Sequence, residues 1–283
     1  MASPAVRRAV ACVCAAAVFT IGAAHAQKQQ AEYLWSIERS LWTGTSIGEN
    51  YTIEASVGLW APEAIIVASS EQFGILGSDI NFGDDLGMGR QRHPEFRLTF
   101  KPGRRHKLRA SLIPIEYQQR TVLERRLVFQ GIAYDVGLTV SSLLKWDAWR
   151  VGYEFDVVSR ERGYFGLIVE TKYTRLQAEL ESDLAYEYTR ARAPIPAIGG
   201  IARVYVTRFT PITAEVTAFK VPEIFAGDYR AQYVDVDVYG TLNLSRVVGF
   251  NLGYRSIDFS YLVGRDTGHL KLDGFYLSGV VRF

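Results

Sequence analysis

From residue 51 onward the chain alternates apolar and polar residues with a period of two, the pattern of β-strands whose two faces differ. Each alternating stretch is long enough to cross a bilayer when tilted, which takes about 9–11 residues. The pattern predicts ten strands, near residues 51–67, 93–101, 106–118, 143–158, 163–178, 199–209, 212–221, 231–245, 248–262 and 269–283.

The predicted connections alternate between tight turns and longer links, as in an antiparallel up-and-down sheet. Tight turns are predicted at 101–106, 159–163, 209–211 and 245–247. Longer links are predicted at 68–92, 119–142, 179–198, 222–230 and 263–268. Within 179–198, the segment beginning Ala193-Pro-Ile-Pro is interpreted as part of a loop.

The strand number has one main alternative. Residues 121–141 can form an additional hairpin, which would give twelve strands instead of ten. We favour the interpretation that these residues extend the two flanking strands.

The first residues predict export. Arg7 and Arg8 precede an uncharged run over 9–24, and Ala24-His25-Ala26 has the small-x-small form of a cleavage site. We therefore expect a cleaved signal peptide at 1–26, a lead-in or short amphipathic helix at 27–50 and a barrel at 51–283.

Composition narrows the function. Both cysteines, Cys12 and Cys14, lie in the predicted signal, so the mature chain is expected to have no disulfide. Removing Arg7 and Arg8 from 32 basic residues leaves 30, against 30 acidic residues, so the predicted mature net charge is zero. A basic nucleic-acid-binding protein is therefore not expected.

The last twelve residues combine strict alternation with a terminal aromatic residue. One face carries Phe275, Leu277, Gly279, Val281 and Phe283, and the other carries Tyr276, Ser278, Val280 and Arg282. This ending resembles the closing strand of bacterial outer-membrane β-barrel proteins.

The resemblance implies an all-β fold, an antiparallel transmembrane up-and-down barrel in a Gram-negative outer membrane, with short periplasmic turns and longer outer loops. It implies outer-membrane lipids as surroundings. It also implies barrel assembly machinery as a partner that reads the last strand, through Phe275, Leu277, Val281 and Phe283. A soluble sandwich is the weaker alternative, and a monomer is favoured.

The polar faces of the predicted strands carry both signs of charge. A lysine or arginine facing lipid at the midplane would cost about 2–4 kcal/mol, and several would exceed the 5–15 kcal/mol stability of an ordinary domain. We therefore expect the polar faces to line the barrel interior. The predicted charge network of the interior comprises Glu95, Arg97, Lys107, Arg109, Arg150, Glu154, Asp156, Glu170, Lys172, Arg203, Asp235 and Asp237.

Two functions fit such an interior. Paired charges would fill it and make a non-enzymatic scaffold or binding barrel, whereas remaining water would make a small polar pore. Because a ten-stranded barrel is narrow, the filled interior is favoured.

Catalysis is the alternative function: an outer-membrane enzyme acting on lipid A, phospholipid or peptide. His93, two residues from Glu95 at the start of a strand, is the best-placed histidine, but no serine pairs with it by spacing. The loop over 77–87 contains Asp79, Asp84 and Asp85 and can offer calcium ligands, although solvated turns explain it better. We expect no cofactor or metal and assign no catalytic residue.

Overall fold

The computed structural model describes residues 46–69, 80–129, 132–182, 186–221, 229–263 and 266–283. No helix in this part of the chain is long and apolar enough to cross a membrane. The strands are β1 (Ile53–Ser69), β2 (Ile80–Asn81), β3 (His93–Phe100), β4 (His106–Val122), β5 (Leu127–Phe129), β6 (Ile132–Tyr134), β7 (Thr139–Arg160), β8 (Gly163–Glu181), β9 (Tyr186–Thr207), β10 (Thr210–Lys220), β11 (Tyr229–Asn243), β12 (Val248–Val263) and β13 (Asp266–Arg282).

Ten of these strands form one closed antiparallel barrel. In order around the wall they are β1, β3, β4, β7, β8, β9, β10, β11, β12 and β13. The last strand pairs with the first from Glu54↔Arg282 to Ser69↔Thr267, which closes the sheet and leaves no free edge there. The predicted all-β, ten-stranded up-and-down barrel is confirmed.

The twelve-strand alternative is wrong. Over the described part of 121–141, β5 and β6 pair with each other in a separate two-stranded sheet and add no strand to the wall. The flanking strands β4 and β7 are longer than predicted, and they remain paired as far as Val122↔Thr139. This matches the interpretation that the segment extends its neighbours.

The predicted loop at 179–198 is also wrong, because β9 begins at Tyr186 and contains the whole Ala193–Gly200 segment. Proline cannot donate a ladder hydrogen bond and is tolerated where one edge of a strand is unpaired. Pro194 and Pro196 pair with β8, whereas β10 pairs with β9 only as far as Ile198. The two missing N–H groups therefore fall in the part of β9 that does not pair with β10.

The barrel has two distinct ends. The turn end carries the connections 101–105, 161–162, 208–209 and 244–247 together with Phe283, and the opposite end is the loop end. The turn half and the loop half are the halves of the wall next to these ends.

Strand β4 shows that the apolar face changes sides between the two halves. Near the turn end its inward residues are polar, with Lys107 buried, while Leu108 faces outward and is half exposed. Near the loop end Ile115 and Tyr117 are buried inside, while Glu116 is exposed outside. The change occurs within the apolar run 112–115.

Strand β13 repeats this change of face. On β13 the inward side changes from Arg282 and Ser278 to Leu272, and the outward side changes from the exposed Leu277 to Lys271. The outward apolar residues of the turn half form a continuous belt. This belt includes Val57, Leu59, Phe96, Leu98, Trp149, Val151, Leu167, Val169, Val204, Val216, Val238, Leu242, Phe250, Leu252, Phe275 and Leu277.

An exposed apolar belt of this extent is typical of a surface covered by lipid. The turn half therefore has the inside-out arrangement of a membrane barrel. The loop half has the opposite arrangement, apolar inside and polar outside, and projects beyond the belt.

Candidate functional site in the barrel interior

The structure places the twelve predicted network residues on the inner face of the turn half. Most are fully buried, and Arg97 and Arg109 retain only 13% and 12% side-chain exposure. They come from strands β3, β4, β7, β8, β9 and β11. The structure brings all but one into ion pairs with other interior strands: Glu95, Arg97, Lys107, Arg109, Arg150, Glu154, Asp156, Glu170, Lys172, Asp235 and Asp237. The twelfth, Arg203, pairs with the lead-in segment.

Several pairs join strands that are not neighbours in the wall, and so cross the interior. Arg150 on β7 donates from Nη1 to Oε1 of Glu215 on β10, at 2.8 Å. Arg109 on β4 contacts the same carboxylate. Glu215 therefore receives two guanidinium groups from the facing wall.

Two further pairs cross at other positions. Lys172 on β8 donates to Oδ2 of Asp235 on β11, at 2.6 Å between Nζ and the oxygen. Arg255 on β12 donates from Nη1 to Oε1 of Glu95 on β3, at 2.7 Å, and also binds Asp235. These ion pairs therefore link strands that are not neighbours in the wall at several places in the interior.

Glu215 and Arg255 also complete the network, although neither is among the residues predicted from the sequence. The signal was present: Thr213, Glu215 and Thr217 alternate with Ala214 and Val216 along β10. Their burial inside the barrel follows from that alternation.

The lead-in residues close the turn end. Arg203 donates from Nη1 to Oε1 of Glu49 at 2.8 Å, and Tyr205 donates its hydroxyl to the same oxygen at 2.9 Å. Lys101 donates to the backbone carbonyl of Glu49 at 2.8 Å. Residues 46–50 therefore belong with the barrel interior, while residues 27–45 of the lead-in or short amphipathic helix predicted at 27–50 lie outside the described residues.

Among the described interior residues the paired charges balance. Nine cations, Arg97, Lys101, Lys107, Arg109, Arg150, Lys172, Arg203, Arg255 and Arg282, pair with nine carboxylates, Glu49, Glu54, Glu95, Glu154, Asp156, Glu170, Glu215, Asp235 and Asp237. Burying charge is costly, and the cost is offset only when each ion is paired and hydrogen-bonded. Removing any single member is therefore expensive, because it leaves a buried partner uncompensated.

Small cavities remain within the network. One of about 40 Å³ is lined by Arg97, Arg109 and Arg150 together with Tyr239 and Asn251. Another of about 10 Å³ lies where the polar and apolar interiors meet, beside Ile113 and Ile257. Arg150 lines both cavities.

The interior of the loop half is apolar, which corrects the expectation of a polar interior along the whole barrel. Trp60, Ile115, Leu144 and Trp146 from the wall belong to one buried cluster. The same cluster includes residues of the 80–88 segment and of the 123–134 region: Ile80, Phe82, Leu86, Met88, Leu123, Leu127, Phe129 and Tyr134. These segments therefore pack inside the loop end like the core of a soluble domain.

The 80–88 segment is anchored by polar contacts. The backbone N–H of Asn81 donates to Asp85, and the Nε and Nη2 atoms of Arg125 each donate to one oxygen of that carboxylate, both at 2.6 Å. These bonds from Arg125 lower the pKa of Asp85. The predicted acidic loop is therefore used in part to hold this segment in place; Asp79 lies outside the described residues.

The candidate catalytic histidine is enclosed. His93 faces inward, is 3% exposed and packs edge-on against the Tyr117 ring, with 4.9 Å between ring centroids. Its Nε2 atom has no hydrogen-bond partner among the described residues. Glu95 points instead to Arg97 and Arg255.

The proposed assembly residues of the last strand face outward. Phe275 and Phe283 are 68% and 73% exposed, and Leu277 and Val281 lie on the same face. They are part of the apolar belt at the β13–β1 closure.

Comparison with known proteins finds a shared fold. No protein-family model matches the chain, and no curated protein matches it. The outer membrane protease OmpT from Escherichia coli matches with a TM-score of 0.54 and 8% sequence identity, over 85% of this chain and 99% of that chain.

Two further solved structures match with lower scores. The attachment invasion locus protein Ail of Yersinia pestis matches with a TM-score of 0.36 and 9% identity, over 82% of this chain and 99% of that chain. The toluene transporter TodX of P. putida matches with a TM-score of 0.35 and 9% identity, over 82% of this chain and 90% of that chain. At 8% identity, the match to OmpT shows the fold alone. The chain is a closed ten-stranded antiparallel barrel, and its fold is similar to that of this bacterial outer-membrane protein.

Proposed function

We propose that this chain is an integral protein of the bacterial outer membrane that works as a non-enzymatic scaffold or binding barrel and does not conduct solutes. The observation that carries the proposal is the set of ion pairs across the interior, above all the two guanidinium groups on Glu215. A pore needs a continuous path of water, and these side chains occupy the positions that such a path would take.

The apolar packing inside the loop half also closes the interior and supports the same proposal. Above the ion pairs, Phe82, Leu86 and Met88 pack against wall residues inside the loop half. A hydrated solute entering from the loop end would have to displace buried apolar side chains before it reached the charges. A solute would therefore have to pass the apolar cluster of the loop half and then the ion pairs of the turn half.

We further propose what surrounds the outer face of the barrel. Lipids of the outer membrane cover the belt of the turn half, and the loop half projects from it. The barrel assembly machinery reads the last strand through Phe275, Leu277, Val281 and Phe283. The enzyme alternative gains no support from His93, because its ring is buried against Tyr117.

Planar-bilayer recording tests the proposal. We expect the purified protein, reconstituted after a gel confirms that boiled and unboiled samples migrate differently, to insert without steady current steps. A porin prepared in the same detergent serves as the positive control. Ohmic steps of uniform size from the unmodified protein would contradict the closed interior and favour the small polar pore.

A further inference from the structure

The surface of the turn end carries more positive than negative charge. Its four connections together contain one acidic residue, Glu161. The exposed arginines of these connections and of the adjoining end of β7 are Arg104, Arg105, Arg160, Arg162 and Arg246. Because the predicted mature chain has no net charge, this excess is a property of the turn end and not of the whole protein.

Three of these arginines have no carboxylate partner. Within the described ranges, the exposed side chains of Arg104, Arg105 and Arg160 form no ion pair. The acids Glu49 and Glu54, near the turn end, are already paired with interior arginines. We name Arg104, Arg105 and Arg160 the basic patch. Its charge is therefore available to a partner from outside the chain.

The members of the basic patch come from two neighbouring hairpins. Strands β4 and β7 pair directly in the wall. The backbone N–H of Asp156 donates to the carbonyl of Arg105, at 2.9 Å, so the turn before β4 lies against β7. From Asp156 the strand continues to its last residue, Arg160, roughly 13 Å further at the usual rise per residue. The basic patch is therefore one local feature of the surface.

The basic patch borders the apolar belt. The exposed Val158 lies just before Arg160 on β7. On the outer face beside the turn before β4, His106 stacks on the exposed Tyr153, with 6.0 Å between ring centroids. Tyrosine is enriched where the hydrocarbon of a membrane meets the headgroups. If lipid covers the belt, the guanidinium groups of the basic patch lie at the level of the headgroups.

We propose that the basic patch binds the phosphate groups of anionic phospholipids. This inference rests on the proposed function, in which the turn half lies in the outer membrane. The planar guanidinium group of arginine can donate two parallel hydrogen bonds to one phosphate. A headgroup with net negative charge is preferred to a zwitterionic one, whose own cation compensates its phosphate. Since short turns of such barrels face the periplasm, the lipid belongs to the periplasmic leaflet.

Native mass spectrometry of nanodiscs tests the choice of lipid. The full barrel is reconstituted with equal amounts of phosphatidylglycerol and phosphatidylcholine that have the same acyl chains, and the lipids that stay bound are counted. We expect phosphatidylglycerol to be retained about fivefold over phosphatidylcholine, the effect of one arginine near an anionic surface. Equal retention of the two lipids by the unmodified protein would overturn the proposal.

The triple variant Arg104→Gln/Arg105→Gln/Arg160→Gln identifies the binding residues. Glutamine keeps a long polar side chain but removes the charge, and the three exposed positions are not part of the buried network. The ratio of retained phosphatidylglycerol to phosphatidylcholine should fall to about one, because the charge that favours the anionic headgroup is gone. A variant that kept the full preference would overturn the assignment to the basic patch.

The matched control removes three exposed arginines from the loop end, in the variant Arg92→Gln/Arg120→Gln/Arg230→Gln. It changes the net charge equally, but the loop half projects beyond the belt, so it should keep the lipid preference. Equal losses of preference in the two variants would indicate a general effect of net charge and overturn the proposal.

Recovery in nanodiscs separates this inference from the proposed function. A protein that failed to enter nanodiscs of either lipid would contradict its place in a membrane, and with it the proposed function. A barrel that enters them and shows the gel shift, but retains both lipids equally, would contradict the lipid preference alone.

Discussion

Replacing Arg150 by alanine is expected to lower the free energy of unfolding by about 3–5 kcal/mol, because removal of one partner leaves buried carboxylates uncompensated. Glu215 would lose one of its two guanidinium partners, and Glu170 would lose its contact at 3.7 Å. Ser111 would lose the hydrogen bond from Nε. Urea unfolding of the barrel in phospholipid vesicles measures the change.

The same substitution is expected to enlarge the cavities of the charge network without opening a path through the barrel. Arg150 lines both cavities, so removing its side chain adds space to each. Bilayer recording of Arg150→Ala should still show no steady current, because the apolar cluster of the loop half remains in place.

Lys145→Ala is the control for this prediction. Lys145 pairs with Glu116 at 3.4 Å on the outer face of the loop half, where both side chains are about half exposed. An exposed pair contributes about 0–1 kcal/mol. Equal losses in the free energy of unfolding from Arg150→Ala and Lys145→Ala would contradict the claim that the buried ion pairs matter more to stability than the exposed pair.

Leu252→Arg is expected to cost about 2–4 kcal/mol in vesicles, because it places a charge on the lipid-facing belt. Leu252 is 63% exposed, in the middle of the apolar outer residues of β12, between Phe250 and Tyr254. The loss should appear in urea unfolding and as slower insertion of the barrel into vesicles.

Gln118→Arg is the control for Leu252→Arg, because it places the same new side chain at an outward position of the loop half. Gln118 is exposed on β4 beyond the change of face, so water surrounds it, and the effect should stay within about 0.5 kcal/mol. If both arginines were tolerated equally, the belt would not be the surface in contact with lipid.

The strand pattern was readable in the sequence because each wall residue has only two environments, inside and outside. Even where the faces exchange polarity, the period of two persists, so β4 is predicted from either half. The predicted ends of the strands were less accurate, because the strands continue beyond the membrane-facing belt. The start of β9 was missed because Pro194 and Pro196 suggest a loop unless it is known that this part of β9 does not pair with β10.

The exchange of faces was missed although the sequence contains a sign of it. When the apolar side of a strand changes, the outward apolar residues of one half meet the inward apolar residues of the other. The result is an uninterrupted apolar run such as Leu112-Ile-Pro-Ile115, at the level where β4 leaves the belt. Such a run between two alternating stretches indicates that a barrel projects from its membrane.

The charged residues were predictable as inward-facing, but their partners were not. Arg109 and Glu215 are 106 positions apart, and Glu95 and Arg255 are 160 apart. Only the closure of the sheet brings these pairs together. The cavity among the arginines likewise depends on how side chains from distant strands pack, which no local sequence pattern predicts.

A depth scan along β4 tests the exchange of faces most directly. The predicted mature chain has no cysteine, so single cysteines at outward positions 108, 110, 112, 116, 118 and 120 can each carry a spin label in vesicle-embedded protein. We predict that labels at 108–112 are relaxed by oxygen dissolved in lipid, and that those at 116–120 are relaxed by a water-soluble nickel complex. Lipid-type accessibility at all six positions, or water-type accessibility at all six, would contradict a barrel that changes its apolar face midway along the wall.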